Sequence, residues 1–370
     1  MSQGKYKNRI NELSDLVKAT FENSVNTSLR RFASSAYYLT VGLIVTASVG
    51  YSAIYILFAG EMVREVAEFY LGHVIHSQPL YIYQLILALV LVPFCCLTTM
   101  HSMSYLSIAG NTFTACGLLV AMQYCFRNFQ PLENLDAVRP FDLNNTFIFL
   151  SFGFFISFGP LIVIPIRISM KNPVSFGGWN GLLTLAGTIM IVLNTSVGFF
   201  GYMALGRNAQ LLLSELPEHW IYHLLKLGWI FPVFINYNFQ VFLFMEIVRP
   251  FIRKKIKSKS KGERLLNYLL RLVWIAATTL LAIFVPCLKQ FIALVGSISL
   301  AVLILALPPI LDTIIQCNSK ITTKVALTRL LPNAFIISIG LFSTFYGTWI
   351  NLIELSEALA NIQPGLAYHV

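Results

Sequence analysis

Apolar residues fall in long blocks separated by short polar stretches, and a block of roughly 18 or more largely uncharged residues is long enough to cross a bilayer as a helix. Nine such blocks predict nine spans, at Ala36 to Ala59, Leu80 to Thr99, Ser107 to Phe126, Thr146 to Ile166, Gly181 to Leu205, Ile221 to Ile247, Leu269 to Val285, Phe291 to Ile314 and Asn333 to Leu355. Several contain Gly or Pro, which a membrane bundle tolerates because neighbouring helices satisfy the freed backbone groups. The predicted fold class is all-α, a polytopic membrane helix bundle. Residues 1–35 form an N-terminal segment, 36–355 the transmembrane region and 356–370 a short tail.

Composition supports this reading. Of 370 residues, 56% are apolar and 11% charged, whereas a soluble domain carries charge on about a quarter of its residues. Lipid must therefore cover most of the surface. The net charge of +10 would suggest nucleic acid only on a water-soluble fold with a basic face. Basic cytoplasmic loops explain it better, because Lys and Arg near span ends are retained on that side. One side receives Lys5, Lys7, Arg9, Lys18, Arg30 and Arg31, then Arg167 and Lys171, then Arg249 through Lys261 and Arg264 to Arg271, then Lys320, Lys324 and Arg329. The other receives Arg64, Arg127, Arg139, Arg207, Lys226 and Lys289. The N-terminus is thus expected in the cytoplasm and the tail on the opposite face.

The first twenty residues lack the apolar core of a signal peptide, so insertion is expected to begin at the first internal span. The basic run Arg249 to Arg264 reads as a topology-fixing loop, with an anionic-lipid site as the alternative. Asn144 opens a glycosylation sequon on the outer face, hard against a span, while Asn26-Thr27-Ser28 lies on the cytoplasmic side and should be silent. The six cysteines have no CxxC spacing and the six histidines no ligand spacing, so no metal site, cofactor or disulfide framework is expected. No nucleophile triad or phosphate loop can be assembled either, which argues against an enzyme.

The stretch SFGFFISFGPLIVIPIRISMKNP, from Ser151, is interrupted by Gly153, Gly159, Pro160 and Pro165. A broken helix at bilayer depth exposes backbone groups that bind a small zwitterion or ion, and a simple proline kink is the competing reading. On the first reading Phe155, Phe158, Gly159 and Pro160 touch substrate. Polar residues inside spans face the bundle interior, which adds Asn194 and the series Asn236, Tyr237, Asn238 and Gln240. Asn236 and Gln240 are four apart and share a face, with Tyr237 about 100° and Asn238 about 200° away. Glu246 is a proton-coupling candidate, or it pairs with Arg249 at the interface.

The string FVPCLKQFIALVGSISLAVLILALPPIL, residues 284–311, resembles the ninth and tenth helices of the proton-coupled amino acid transporters within the amino acid/auxin permease family. FENSVNTSLRRFASSAYYLT, PIRISMKNP, GFFGYMALG, FQ…EIVRPF and GTWINLIEL follow in the family's order. The resemblance implies a LeuT-like fold of two inverted five-helix repeats plus one helix, with nine of its eleven helices present here. The chain then begins in what looks like the loop between helices two and three, without the glycine-rich first helix that contacts substrate. Two departures stand out. The family's Phe-Glu-Gly is here Ser157-Phe158-Gly159, and Leu-Glu-Asn is Ile166-Arg167-Ile168. Gln240 and Glu246 match, with Phe244 where proline is usual.

The function implied is secondary active transport of small neutral amino acids, coupled to protons and working through rocking of one repeat against the other. Its partners would be amino acids, protons and lipid, with no nucleic acid, in the plasma membrane or a lysosomal or endosomal membrane. The different-class alternative is a non-transporting scaffold or amino-acid sensor derived from the family. A seven-span receptor does not fit the span count.

Overall fold

The structure, a computed structural model, describes residues 13–72, 78–95, 100–130, 143–157, 163–170, 172–206, 212–255, 261–318 and 326–366. Among these residues the regular structure is helical throughout. Seven helices are long and apolar enough to cross a membrane, and Leu80–Cys95 and Asn145–Ile156 are shorter apolar helices. The architecture is a polytopic helical bundle.

Two short helices come first, α1 (Leu13–Glu22) and α2 (Thr27–Arg31). Asn26 caps α2, its side-chain oxygen accepting from the Ser28 N–H at 2.9 Å, which satisfies one of the donors every helix start leaves open. The apolar blocks then appear as α3 (Ala33–Leu71), α4 (Leu80–Cys95), α5 (Met100–Arg127), α6 (Leu143–Ile156), α7 (Val163–Ser169), α8 (Leu182–Leu205), α9 (Trp220–Lys255) and α10 (Lys261–Phe284). The next block is composite, with α11 (Leu288–Val295), a π-helical segment (Gly296–Ala306) and α12 (Leu307–Cys317) in direct succession, and α13 (Leu331–Leu366) ends the chain.

Three boundaries differ from expectation. Helix α3 continues twelve residues past Ala59 because the charges there sustain it: Arg64 Nε donates to Glu68 Oε1 at 2.8 Å, an i,i+4 pair on the helix surface. Helix α13 runs past Leu355 to Leu366, since SEALANIQ contains nothing that stops a helix. The basic run is helical over 249–255 and again from 261, so most of it extends α9 and α10.

The chain divides into two compact units. The first comprises 1–47, 141–181 and 289–370. In it α6, the π segment and α13 pack on one another, around buried Ile148, Ala293 and Ile350 with Phe152 and Tyr346 beside them. Small residues set the approach. A Cβ on Gly296 would lie 2.0 Å from the Ser151 carbonyl oxygen, and one on Gly340 would lie 3.1 Å from the Ala306 nitrogen. The π geometry has a local cause. Pro308 and Pro309 have no N–H to give to the carbonyls four residues back, and just ahead of them the Leu307 N–H reaches Val302 O, five residues back. Helix α1 buries Ser14, Val17 and Thr20 and packs on α12. There Asn318 holds the connector behind α1, accepting from Val25 N at 2.8 Å and donating to Asn23 O at 3.1 Å.

The second unit comprises 48–140 and 182–288. Its main pairings are α5 with α9 and α4 with α10. Gly117 admits the Trp229 indole, whose Nε1 would lie 1.9 Å from a Cβ at that position. Trp274 Nε1 donates to Ser52 Oγ at 3.1 Å, and its ring lies 4.2 Å from that of Phe244.

Candidate substrate site

In the first unit, α6 ends at Ile156 and the chain turns at Ser157, whose Oγ donates to Gly153 O at 2.8 Å. The Ser157 N–H donates to the same Gly153 carbonyl at 3.2 Å, so backbone and side chain together close the last turn. Phe155 is half-buried in this last turn. Phe158, Gly159 and Pro160 lie outside the described residues, as does the side chain of Asn144. Helix α7, with Arg167 in its last turn, begins at Val163.

In the second unit, the buried arc of α9 is centred on Tyr237, Val241 and Met245, each four residues from the next. Tyr237 exchanges a hydrogen bond with Thr278 Oγ1 of α10 at 2.8 Å. Gln240 hydrogen-bonds the Tyr55 hydroxyl, and its Oε1 is buried without a partner, so the amide nitrogen is the donor. Asn238 is buried, whereas Asn236 is exposed at the edge of the arc and Asn194 is exposed on α8. Gln240 and Tyr237 are thus both turned inward, and Asn236 does not join them. Glu246 forms an ion pair with Arg249 one turn on, the interface arrangement that the spacing also allowed.

Two polar assemblies were not anticipated. One joins three helical elements of the first unit at Asn351 of α13. Its Nδ2 donates to Ser151 Oγ of α6 at 3.0 Å, to Ala293 O of α11 at 3.1 Å and to Ser297 Oγ of the π segment at 3.1 Å. Asn351, Ser151 and Ser297 are each at most 1% exposed. The other lies in the second unit, where Lys226 of α9 donates to Glu65 Oε2 at 2.8 Å and Ser214 donates to Glu65 Oε1 at 2.6 Å. Lys226 is 5% exposed. One turn earlier on α9, the His223 ring lies 4.5 Å from that of Phe69, tilted by 55°, and shares a 3.3 Å hydrogen bond with the Tyr70 hydroxyl. The only sequence signals for these groups were a lone Asn in an apolar block and a lone Lys in a span. A buried ionisable or amide side chain in a membrane helix is costly enough that either deserved a partner search. Cys287, between α10 and α11, is buried, and burial pushes its thiol up, the opposite of what a reactive thiolate needs.

Within each unit these polar groups bond one another across elements, Asn351 with Ser151 and Ser297 in the first and Glu65 with Lys226 and Ser214 in the second. A family model described as transmembrane amino acid transporter protein matches residues 5–353. The proton-coupled amino acid transporter-like protein pathetic of Drosophila melanogaster is 26% identical over 283 residues, covering 75% of this chain and 58% of the fly protein. The probable amino acid transporter skat-1 of Caenorhabditis elegans is 23% identical over 346 residues, covering 91% of this chain and 74% of the worm protein. The chain therefore spans less than two thirds of the fly relative's length. With the family matched over all but the two ends of an all-helical framework rich in membrane-length helices, the chain belongs to the amino acid/auxin permease family of transmembrane amino acid transporters.

Proposed function

We propose that the chain serves secondary active transport of small neutral amino acids, coupled to protons. The observation that carries this reading is the family match over residues 5–353; the fly relative's printed name adds proton coupling. On this reading the end of α6 and the following Phe158-Gly159-Pro160 receive the amino acid, since exposed backbone at a helix interruption suits both carboxylate and ammonium. In the second unit, Tyr237, Gln240 and Asn236 of α9 form a separate set of substrate-contact residues, and Glu246 carries the proton when released from Arg249. The N-terminus faces the cytoplasm, in the plasma membrane or a lysosomal or endosomal membrane.

Uptake of Gly, Ala and Pro into proteoliposomes, with and without an inward proton gradient, tests the reading. Gradient-stimulated uptake is expected, abolished by Gly159→Leu and made more pH-dependent by Phe158→Glu. Absence of uptake from stable, inserted protein would refute it. A scaffold or sensor is the second reading, favoured by Phe158 and Arg167 standing where the family pattern has acids. Binding of amino acid without uptake would select it.

A further inference from the structure

We propose that Asn351 is a positioning residue: through Ser151 it sets where the end of α6, Phe155 to Ser157, is presented. The proposal rests on the reading that this end of α6 serves the substrate. Ser151 and Ser297 have already given their hydroxyl protons away, to Phe147 O at 2.7 Å and to Leu294 O at 3.1 Å. Both therefore face the amide only as acceptors. The Ala293 carbonyl is an acceptor as well, so all three require the nitrogen end of the Asn351 side chain, which fixes the orientation of the amide without ambiguity between its oxygen and nitrogen. Its Oδ1 is left buried with no hydrogen-bond partner.

The amide has two hydrogens for three acceptors, so one hydrogen is shared. Ala293 and Ser297 both belong to the α11–π element, and Ser151 alone belongs to α6. Rotation of the amide, or a small slide of α6, exchanges the Ser151 link against the Ser297 link while the Ala293 link holds. The contact is directional and of the kind that orders one membrane helix against another. Its lever is short: Ser151 precedes Ser157 by six residues, about 9 Å along the helix axis. Beside it, Gly296 brings the π segment into backbone contact with the Ser151 carbonyl, so the two elements have no side chain between them to blur the setting. π turns within membrane helices recur at functional positions.

The two serines make the test. Ser151→Ala and Ser297→Ala remove the same group from equally buried positions, and only the first lies on α6. For spectra each is placed in the full chain with the six native cysteines replaced by alanine and a nitroxide attached at Ser157→Cys, in nanodiscs; for uptake of Gly, Ala and Pro each is placed in the unlabelled chain with its native cysteines and Ser157, in liposomes. Expected is a changed label mobility and a KM raised at least about fivefold, with maximal rate within about twofold, for Ser151→Ala alone. Asn351→Leu, which removes the donor, should reproduce the Ser151→Ala spectrum. Melting temperatures of the two serine variants should fall alike, which separates positioning from stability. If the label responds equally to both serine variants, or to neither, the proposal is overturned whether or not the protein transports. If the label responds as expected and wild-type protein takes up none of the three amino acids, Asn351 still sets the end of α6 and it is the transport reading that falls.

Discussion

Adding one methyl group at Gly296 should force apart two helices that now touch through their backbones. The Cβ of Gly296→Ala would lie 2.0 Å from the Ser151 carbonyl oxygen and 2.9 Å from its carbon. Ordinary contact of this kind begins near 3.4 Å, so α6 and the π segment must separate by roughly 1.4 Å. The obstacle is main chain, which has no rotamer to move to, and overpacking of this sort costs about 1–3 kcal/mol, here at the upper end. The same separation would stretch the 3.0 Å bond from Asn351 to Ser151, and interhelical hydrogen bonds in membranes average about 0.6 kcal/mol. A total near 3 kcal/mol corresponds to a fall in Tm of about 4 °C for a chain of 370 residues. Gly153→Ala is the control, because it lies on α6 with no atom within 4 Å of its added Cβ. Thermal unfolding of purified protein in one detergent, followed by tryptophan fluorescence or by loss of monodispersity, measures both. A Gly296→Ala protein that melts within about 1 °C of Gly153→Ala would refute the close approach.

Three further outcomes are expected. Glu65→Gln leaves the almost fully buried Lys226 without its carboxylate, whereas Lys226→Met leaves a carboxylate that is 35% exposed; stranding a buried charge costs about 3–5 kcal/mol, so thermal unfolding should show Glu65→Gln to be the more damaging and the double variant to recover much of the loss. Asn318→Ala removes the two bonds that tie the connector behind α1 to the end of α12, and limited proteolysis should then cut between Glu22 and Thr27 several times faster than in wild type, with equal rates counting against the tether. Tags at the N-terminus and within 256–260 should both be protected from protease in intact cells, because the Lys and Arg asymmetry puts them on one side; cleavage of either from outside would break the proposed topology.

Hydropathy located the membrane-length blocks because burial in lipid leaves its mark on every residue of a span. It marks where an apolar block ends, and a helix runs on wherever charge and helicity part company. Glu61 to Glu68 closed the apolar block at Ala59, yet Arg64 and Glu68 support each other on the surface of a helix that continues to Leu71. The pairing of side chains was beyond its reach. Tyr237 and Thr278 are 41 positions apart, Asn351 and Ser151 are 200 apart, and no local pattern in either neighbourhood names the other. Spacing did put Asn236 and Gln240 on one face, but the inward arc of α9 is decided by what packs on it, and it takes in Gln240 while leaving Asn236 at its rim. The pairing of Glu246 with Arg249 was within reach because three residues on a helix are neighbours by geometry.

The π segment also determines where this chain tolerates a change of length. Each i→i−5 turn between Gly296 and Ala306 takes in one residue more than an α turn, so the segment holds slack. Loss of a residue there can be absorbed by tightening one turn to α, leaving Pro308, Pro309 and everything beyond them in register. The same loss in the middle of α9 would rotate all that follows by about 100° and carry Met245 off its buried arc. Loss of one residue within 298–305, between the close contacts at Gly296 and Ala306, is therefore the change of length expected to leave a folded, inserted protein, and loss within the regular helices is not.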